Sequence, residues 1–262
     1  MAVDRMQQQR FELKYLITEE KALMVRDFVR SAGMELDEYS AIRPNFSYPV
    51  HSLYLDNDVL TTYWDTINGN KNRFKLRLRY YSTDPDTPVF FEIKRRVNNC
   101  ILKQRGGVRQ QAVESLLSGH LPEPQHLVSY SAKALVALQR FCELTHRLQA
   151  KPKVHISYLR EAYVNDNDTV RVTMDRHVCG EPNLRFAIKT AMERPRYSYR
   201  PYVILELKFT NRFPNWFKEL VRVFNVMQRG AAKYVSSIQA IGDPRLLEAH
   251  TTIVQEEEVN YD

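Results

Sequence analysis

Ionic side chains recur at every second position in several segments of this 262-residue chain, with bulky apolar residues between them. Arg10, Glu12 and Lys14 make one such row, Lys75, Arg77 and Arg79 a second, Glu92, Lys94 and Arg96 a third, and Glu206 with Lys208 a fourth. Lys103 with Arg105, and Tyr158 with Arg160, are shorter instances. Side chains alternate across a strand, so each row lies on one face of a sheet. Any single row also reads as the solvated face of a half-exposed antiparallel sheet. Several rows together read differently, because like charges gathered on one face repel and call for an anion to neutralise them. If the sheet closes into a barrel with the rows inside, its low-dielectric walls focus their field on one channel. Lys and Arg grip phosphate oxygens, and Glu beside them can hold Mg²⁺ or Mn²⁺. Together these are the equipment of phosphoryl transfer. Local pairing with neighbouring Lys and Arg is the equal alternative for each of Glu12, Glu92 and Glu206.

The elements that must position these rows can be read from periodicity. Arg10 to Ile17 alternates as a strand and leads into a helix with Thr18 as N-cap and Leu23, Val25, Phe28 and Val29 on its apolar side. Residues 34–46 read as loop and Tyr48 to Asp56 as a strand. Phe74 to Tyr80, Val89 to Arg96 and Cys100 to Arg105 follow as strands, then helices over Gln111 to Leu117 and Ser131 to Leu148. Val154 to Val164, Arg171 to Asp175 and Tyr202 to Phe209 are further strands, and 180–200 an irregular basic loop. Pro214 opens an amphipathic helix running through Met227 and capped by Gly230. Lys233 to Ile241 forms a last short helix. The pattern predicts one α+β domain, an antiparallel β-barrel tunnel with helices packed outside.

Composition narrows the function. A net charge of +7 suits a polyanionic partner without naming it. Three scattered cysteines, Cys100, Cys142 and Cys179, give neither a disulfide framework nor a zinc motif and predict reduced thiols in a cytoplasmic protein. With no apolar run of about 18 residues, no transmembrane segment is expected, and any membrane link would come through a protein partner. P-loop and nucleophile-elbow motifs are both absent from the sequence. His51, His155 and His177 stand singly and read as structural. Tyr80, Tyr81, Phe90 and Phe91 beside basic rows could stack single-stranded nucleic acid. Most of these aromatics fall opposite the cations, however, so core packing explains them better and nucleic acid is not the expected partner.

Seven segments, in order and spacing, resemble a known family: Arg10-x-Glu12-x-Lys14-Tyr15, Ser52-Leu-Tyr-Leu-Asp56, Arg73-Phe-Lys-Leu-Arg-Leu-Arg-Tyr80, Phe91-Glu-Ile-Lys94, Tyr158-x-Arg160, Leu205-Glu-Leu-Lys208 and Lys233-Tyr234. They look like the VTC domain, the catalytic domain of the vacuolar transporter chaperone polyphosphate polymerase, in the triphosphate tunnel metalloenzyme (CYTH-like) superfamily. The resemblance spans residues 8–242 and leaves 243–262 as a tail. It implies transfer of the terminal phosphate of ATP to a growing polyphosphate chain with Mn²⁺ or Mg²⁺; a triphosphatase, or a silent sensor of polyphosphate or pyrophosphate, would share the lining. Arg77, Arg79, Lys94, Arg160 and Glu206 would then be catalytic. Lys14, Lys75, Lys103, Arg105, Tyr158, Lys208 and Lys233 would join the phosphate-binding set, and Glu206 with Glu12 and Glu92 would hold the metal. Two positions depart from the pattern: Arg10 stands where the superfamily has Glu, and Ala232 where polymerase members have Ser.

Overall fold

The computed structural model describes residues 10–98, 100–167, 169–210, 212–242 and Leu246. Apart from Leu246, the expected tail lies outside them. The strands are β1 (Arg10–Ile17), β2 (Glu35–Leu36), β3 (Tyr48–Asp56), β4 (Asn72–Tyr80), β5 (Val89–Val97), β6 (Cys100–Val108), β7 (Lys151–Val164), β8 (Val170–Pro182), β9 (Arg196–Tyr197) and β10 (Val203–Thr210). The helices are α1 (Glu19–Ser31), α2 (Glu38–Ala41), α3 (Thr61–Ile67), α4 (Val113–Leu117), α5 (Ala132–Leu148), α6 (Asn215–Val223) and α7 (Lys233–Ile241). Ladders link the main strands in the order β1-β10-β8-β7-β3-β4-β5-β6, with β2 on β7 and β9 on β8. The fold is therefore α+β with a large antiparallel sheet. Closure into a barrel is not shown, since no ladder joins β6 to β1 among the described residues.

The chain divides into two compact units. The first comprises Met1–Pro49, Tyr158–Val178 and Tyr199–Ala232. Here β10 lies between β1 and β8, with Tyr15 opposite Leu205 and Leu205 opposite Met174. That apolar face is covered by α1 through Ala22, Val25 and Val29 and by α6 through Phe217 and Leu220, all buried. Thr18 Oγ1 caps α1 as expected, accepting from the Lys21 N–H at 3.3 Å. The helix expected to run to Met227 instead ends at Val223. Asn225 adopts a left-handed φ of 44°, and the Val226 N–H turns back to the Val221 carbonyl at 3.2 Å, so Asn225 does the work assigned to Gly230.

The second unit comprises Val50–Ser157, Cys179–Ser198 and Lys233–Asp262. Its β3, β4, β5 and β6 are antiparallel neighbours. Leu53, Leu76, Leu78, Phe91 and Ile93 share one face and pack with Leu138 and Phe141 of α5 and Val113 and Leu116 of α4. At Gly106 of β6 the helix comes so near that a Cβ would sit 2.9 Å from the Ala134 carbonyl oxygen. With its apolar face thus committed, the sheet's ionic residues are left on the other.

Phe91 is fully buried with its ring 4.8 Å from that of Phe141. Phe91→Ala should therefore cost about 3–5 kcal/mol of stability. Urea unfolding checks this; a loss below about 1 kcal/mol would show that the face is not packed as described.

Candidate functional site: two ionic faces

In the second unit the expected rows meet in register. Arg77 stands opposite Glu92 and Glu92 opposite Arg105; Lys75 stands opposite Lys94 and Lys94 opposite Lys103; Arg73 stands opposite Arg96; Arg79 stands opposite Phe90. Directly opposed residues share a face. Eight cations, at positions 73, 75, 77, 79, 94, 96, 103 and 105, thus share this face of β4, β5 and β6 with one carboxylate, Glu92. On the neighbouring strand Tyr54 stands opposite Arg77 and Ser52 opposite Arg79.

Glu92 organises the face. Its carboxylate is fully buried, accepting from Arg77 Nε at 2.8 Å and pairing with Lys103 Nζ at 2.5 Å and Arg79 Nε at 3.8 Å. Burial alone would raise its pKa, but Arg77, Arg79 and Lys103 outweigh burial and hold it well below the usual range. Glu92, expected as one of three metal-holding carboxylates, meets Arg77 and Arg79 through Oε2 and Lys103 through Oε1. Arg77 Nη1 also donates to the Tyr54 hydroxyl at 3.0 Å. Burial raises the pKa of Tyr54, yet Arg77, Arg79 and Lys75 bring it below its ordinary value.

An aromatic pair supports this face. Tyr54 stacks on Tyr234 of α7 at 5.0 Å, and Lys75 Nζ lies 5.5 Å from the Tyr234 ring centre. The Tyr234 hydroxyl donates to Asp56 at 2.9 Å; the buried Asp56 carboxylate also accepts from Thr62 Oγ1 at 2.7 Å and from the Thr62 and Tyr63 N–H groups, capping α3. Lys233 is buried beside Tyr234 in the first turn of α7. Arg105 lies 4.6 Å over Phe90, which shares the ionic face rather than the core.

The first unit carries a different ionic face. Lys14 stands opposite Glu206 and Glu206 opposite Thr173; Glu12 stands opposite Lys208 and Lys208 opposite Arg171. Lys14 Nζ bridges Glu12 at 2.9 Å and Glu206 at 3.3 Å, and Lys208 Nζ reaches Glu206 at 2.7 Å. Arg160 is bidentate to the buried Asp175, with both contacts at 2.7 Å, and lies 3.7 Å from Glu206. Burial disfavours its charge, but Asp175, Tyr158 and Glu206 raise its pKa above the ordinary guanidinium range. Its guanidinium lies 5.2 Å over the buried Tyr158 ring. Arg160, expected to hold phosphate, thus pairs with Asp175, a residue to which the sequence analysis gave no role.

This cluster can be tested as a metal centre. Among the described residues no group of three or more His, Cys, Asp or Glu could hold an ion. Glu12 and Glu206, drawn together by Lys14, nevertheless suit a hard cation that takes one or two carboxylates and completes its shell with phosphate and water. Beside them Thr173 Oγ1 is buried with no hydrogen-bond partner among the described residues, and on the other unit's ionic face Ser52 Oγ is in the same condition. Buried hydroxyls are ordinarily satisfied, so both mark places for a ligand atom or water.

Two histidines read as single do meet. His51 Nδ1 lies 3.2 Å from His155 Nε2, and both rings stack with Tyr80. Burial lowers His51 to about 4 and His155 to about 3, so the pair is neutral near pH 7. They are 104 residues apart, and no local motif reports the contact. All three cysteines are free, and no helix among the described residues is long and apolar enough to cross a membrane.

Comparison with known proteins gives a family and a distant structural likeness. The family model described as the VTC domain matches residues 9–241. No curated protein matches the chain. Among solved structures, the PH1819 protein from Pyrococcus horikoshii OT3 is similar at 13% identity and a TM-score of 0.46, over 88% of this chain and 98% of that one.

Lys103 gives the site a pH signature. Its stem is partly exposed, but the ammonium end sits against buried Glu92; desolvation there, then Arg77 and Arg79, outweigh Glu92 and lower it to about 7. Lys94 faces it from β5. Folding disfavours its proton, so its contribution to stability falls as pH drops from 10.5 towards 7. Anion binding runs the other way: tripolyphosphate affinity should fall as pH rises through about 7, and Lys103→Gln should flatten that step. Calorimetry across this range checks it; an identical slope in the variant would remove Lys103 from the site.

Proposed function

The chain belongs to the VTC domain family, and on that premise we propose that it is a metal-dependent polyphosphate polymerase. It would transfer the γ-phosphate of ATP, or of another nucleoside triphosphate, to the end of a polyphosphate chain. A terminal phosphate oxygen of the chain attacks the γ-phosphorus, the bond to the β-phosphate oxygen breaks, and ADP leaves with that electron pair. The observation that carries the reading is the contrast between the two faces. Eight cations around one carboxylate suit a polyanion. In the other unit Lys14, Lys208, Arg160 and Arg171 are matched by four carboxylates, Glu12, Glu206, Asp175 and Asp37, a charge-balanced setting in which Glu12 and Glu206 could take a divalent ion.

Each residue then has a task. Arg77 and Arg79, locked by Glu92, offer planar forks to phosphoryl oxygens, where charge develops in a loose transition state. Lys75, Lys94, Lys103 and Arg105 hold the rest of the phosphate chain, and Lys233 contributes from α7. Glu206 and Glu12 would hold Mn²⁺ or Mg²⁺, which would supply charge neutralisation when bound. Lys14 and Lys208 orient Glu206, and Asp175 aims Arg160. A silent polyphosphate sensor is the second reading, favoured by the exchange of Ser for Ala at position 232.

Purified protein with ATP and Mn²⁺ should yield polyphosphate on a gel. Glu206→Gln should abolish turnover yet keep polyphosphate binding, because the cation face is untouched. Turnover independent of divalent metal would remove the metal role. No product under any divalent metal, with tight polyphosphate binding, would leave the sensor. Arg79→Lys keeps the charge but loses the fork, and should slow turnover by about tenfold. The loss should fall on kcat and kcat/KM alike and not on polyphosphate affinity. An unchanged kcat would take Arg79 out of transition-state contact.

A further inference from the structure

Resting on the reading of the cation face as a phosphate site, we propose that Arg73 and Arg96 form an outer subsite that binds polyphosphate chains but not a triphosphate. The four cations of β4 lie two residues apart, at 79, 77, 75 and 73. Successive members of a row on a strand are separated by roughly 6.6 Å, so Arg79 and Arg73 are about 20 Å apart. A P–O–P link spans only two P–O bonds, well short of one such repeat. A triphosphate has two links and covers about one repeat of the roughly three that separate these arginines. Only a longer chain can engage both ends.

The row also changes character along its length. Arg79 is buried and Arg77 nearly so, whereas Arg73 and Arg96 are half-buried at the end of the face away from Glu92. Arg73 and Arg96 are direct cross-strand partners, a like-charged pair that costs stability with nothing between them. Each guanidinium is tethered by one hydrogen bond to a backbone carbonyl among the described residues, Arg73 to Asn70 and Arg96 to Asn98 at 2.8 Å. A guanidinium has five N–H donors, so both keep a fork for an anion. Burial, then Arg96, lowers the Arg73 pKa, while Asp65 opposes them. An anion between the two would relieve that repulsion.

Arg95 provides the internal control. It is the sequence neighbour of Arg96 and equally charged, but it stands opposite Phe74 and so on the other face. The experiment compares Arg73→Gln/Arg96→Gln with Arg95→Gln by calorimetry, using linear polyphosphate of many tens of units and tripolyphosphate as probes. The double variant should bind the long chain about tenfold more weakly and tripolyphosphate as before. Arg95→Gln should bind both as wild type does, and the double variant should melt no lower than wild type. Equal losses for both probes, an unchanged long-chain affinity, or the same loss in Arg95→Gln would overturn the outer subsite while leaving the phosphate site standing. If the wild-type protein bound neither probe, the phosphate reading itself would fall, and the subsite with it.

Discussion

Like-charge repulsion on the β4-β5-β6 face, and its partial relief by Glu92, is the constraint around which the second unit is arranged. A row of three lysines in register, 75, 94 and 103, is unfavourable in an empty sheet. Glu92 supports it from the adjacent row, where its fully buried carboxylate draws in Arg77, Lys103 and Arg79 at once. Removing one partner of a buried ionic group typically costs about 3–5 kcal/mol, because the remaining charge is stranded. The apolar side must then be strong enough to hold the strands in register, and the close approach of α5 at Gly106 and the Phe91–Phe141 contact serve that need.

Much of this was legible in the sequence because period two is exact over short strands. The rows 75–79 and 92–96 fixed which residues share a face, and Leu76, Leu78, Phe91 and Ile93 followed on the other side. Periodicity could not say which row sits opposite which. That depends on turn length and register, and register is what makes Glu92 the counter-ion of Arg77. Phe90 was grouped with the aromatics better explained by the core, although its position in the alternation already put it with Glu92. Contacts between distant segments were invisible for a related reason. Asp175 with Arg160, Asp56 with Tyr234 and His51 with His155 involve residues with no shared local pattern. The end of α6 was misplaced because Asn225 is a less obvious left-handed stop than Gly230.

The division of Arg and Lys over the cation face has a mechanical sense. Arginine forks are rigid; a buried acid holds that of Arg77 by a hydrogen bond and lies 3.8 Å from that of Arg79, which suits groups that meet oxygens in one geometry. The lysine row carries compact charges on flexible stems, which under the proposed function would let the phosphates of a chain pass from one contact to the next. In the first unit the logic is reversed. On its ionic face four cations are matched by carboxylates: Lys14 by Glu12 and Glu206, Lys208 by Glu206, Arg160 by Asp175 and Arg171 by Asp37. A balanced cluster has little attraction for a polyanion by itself, and under the proposed function it would gain one from a divalent ion held at Glu12 and Glu206. Under the proposed function the cation face would govern affinity and the balanced face turnover, so the two properties would be lost separately although one chain supplies both.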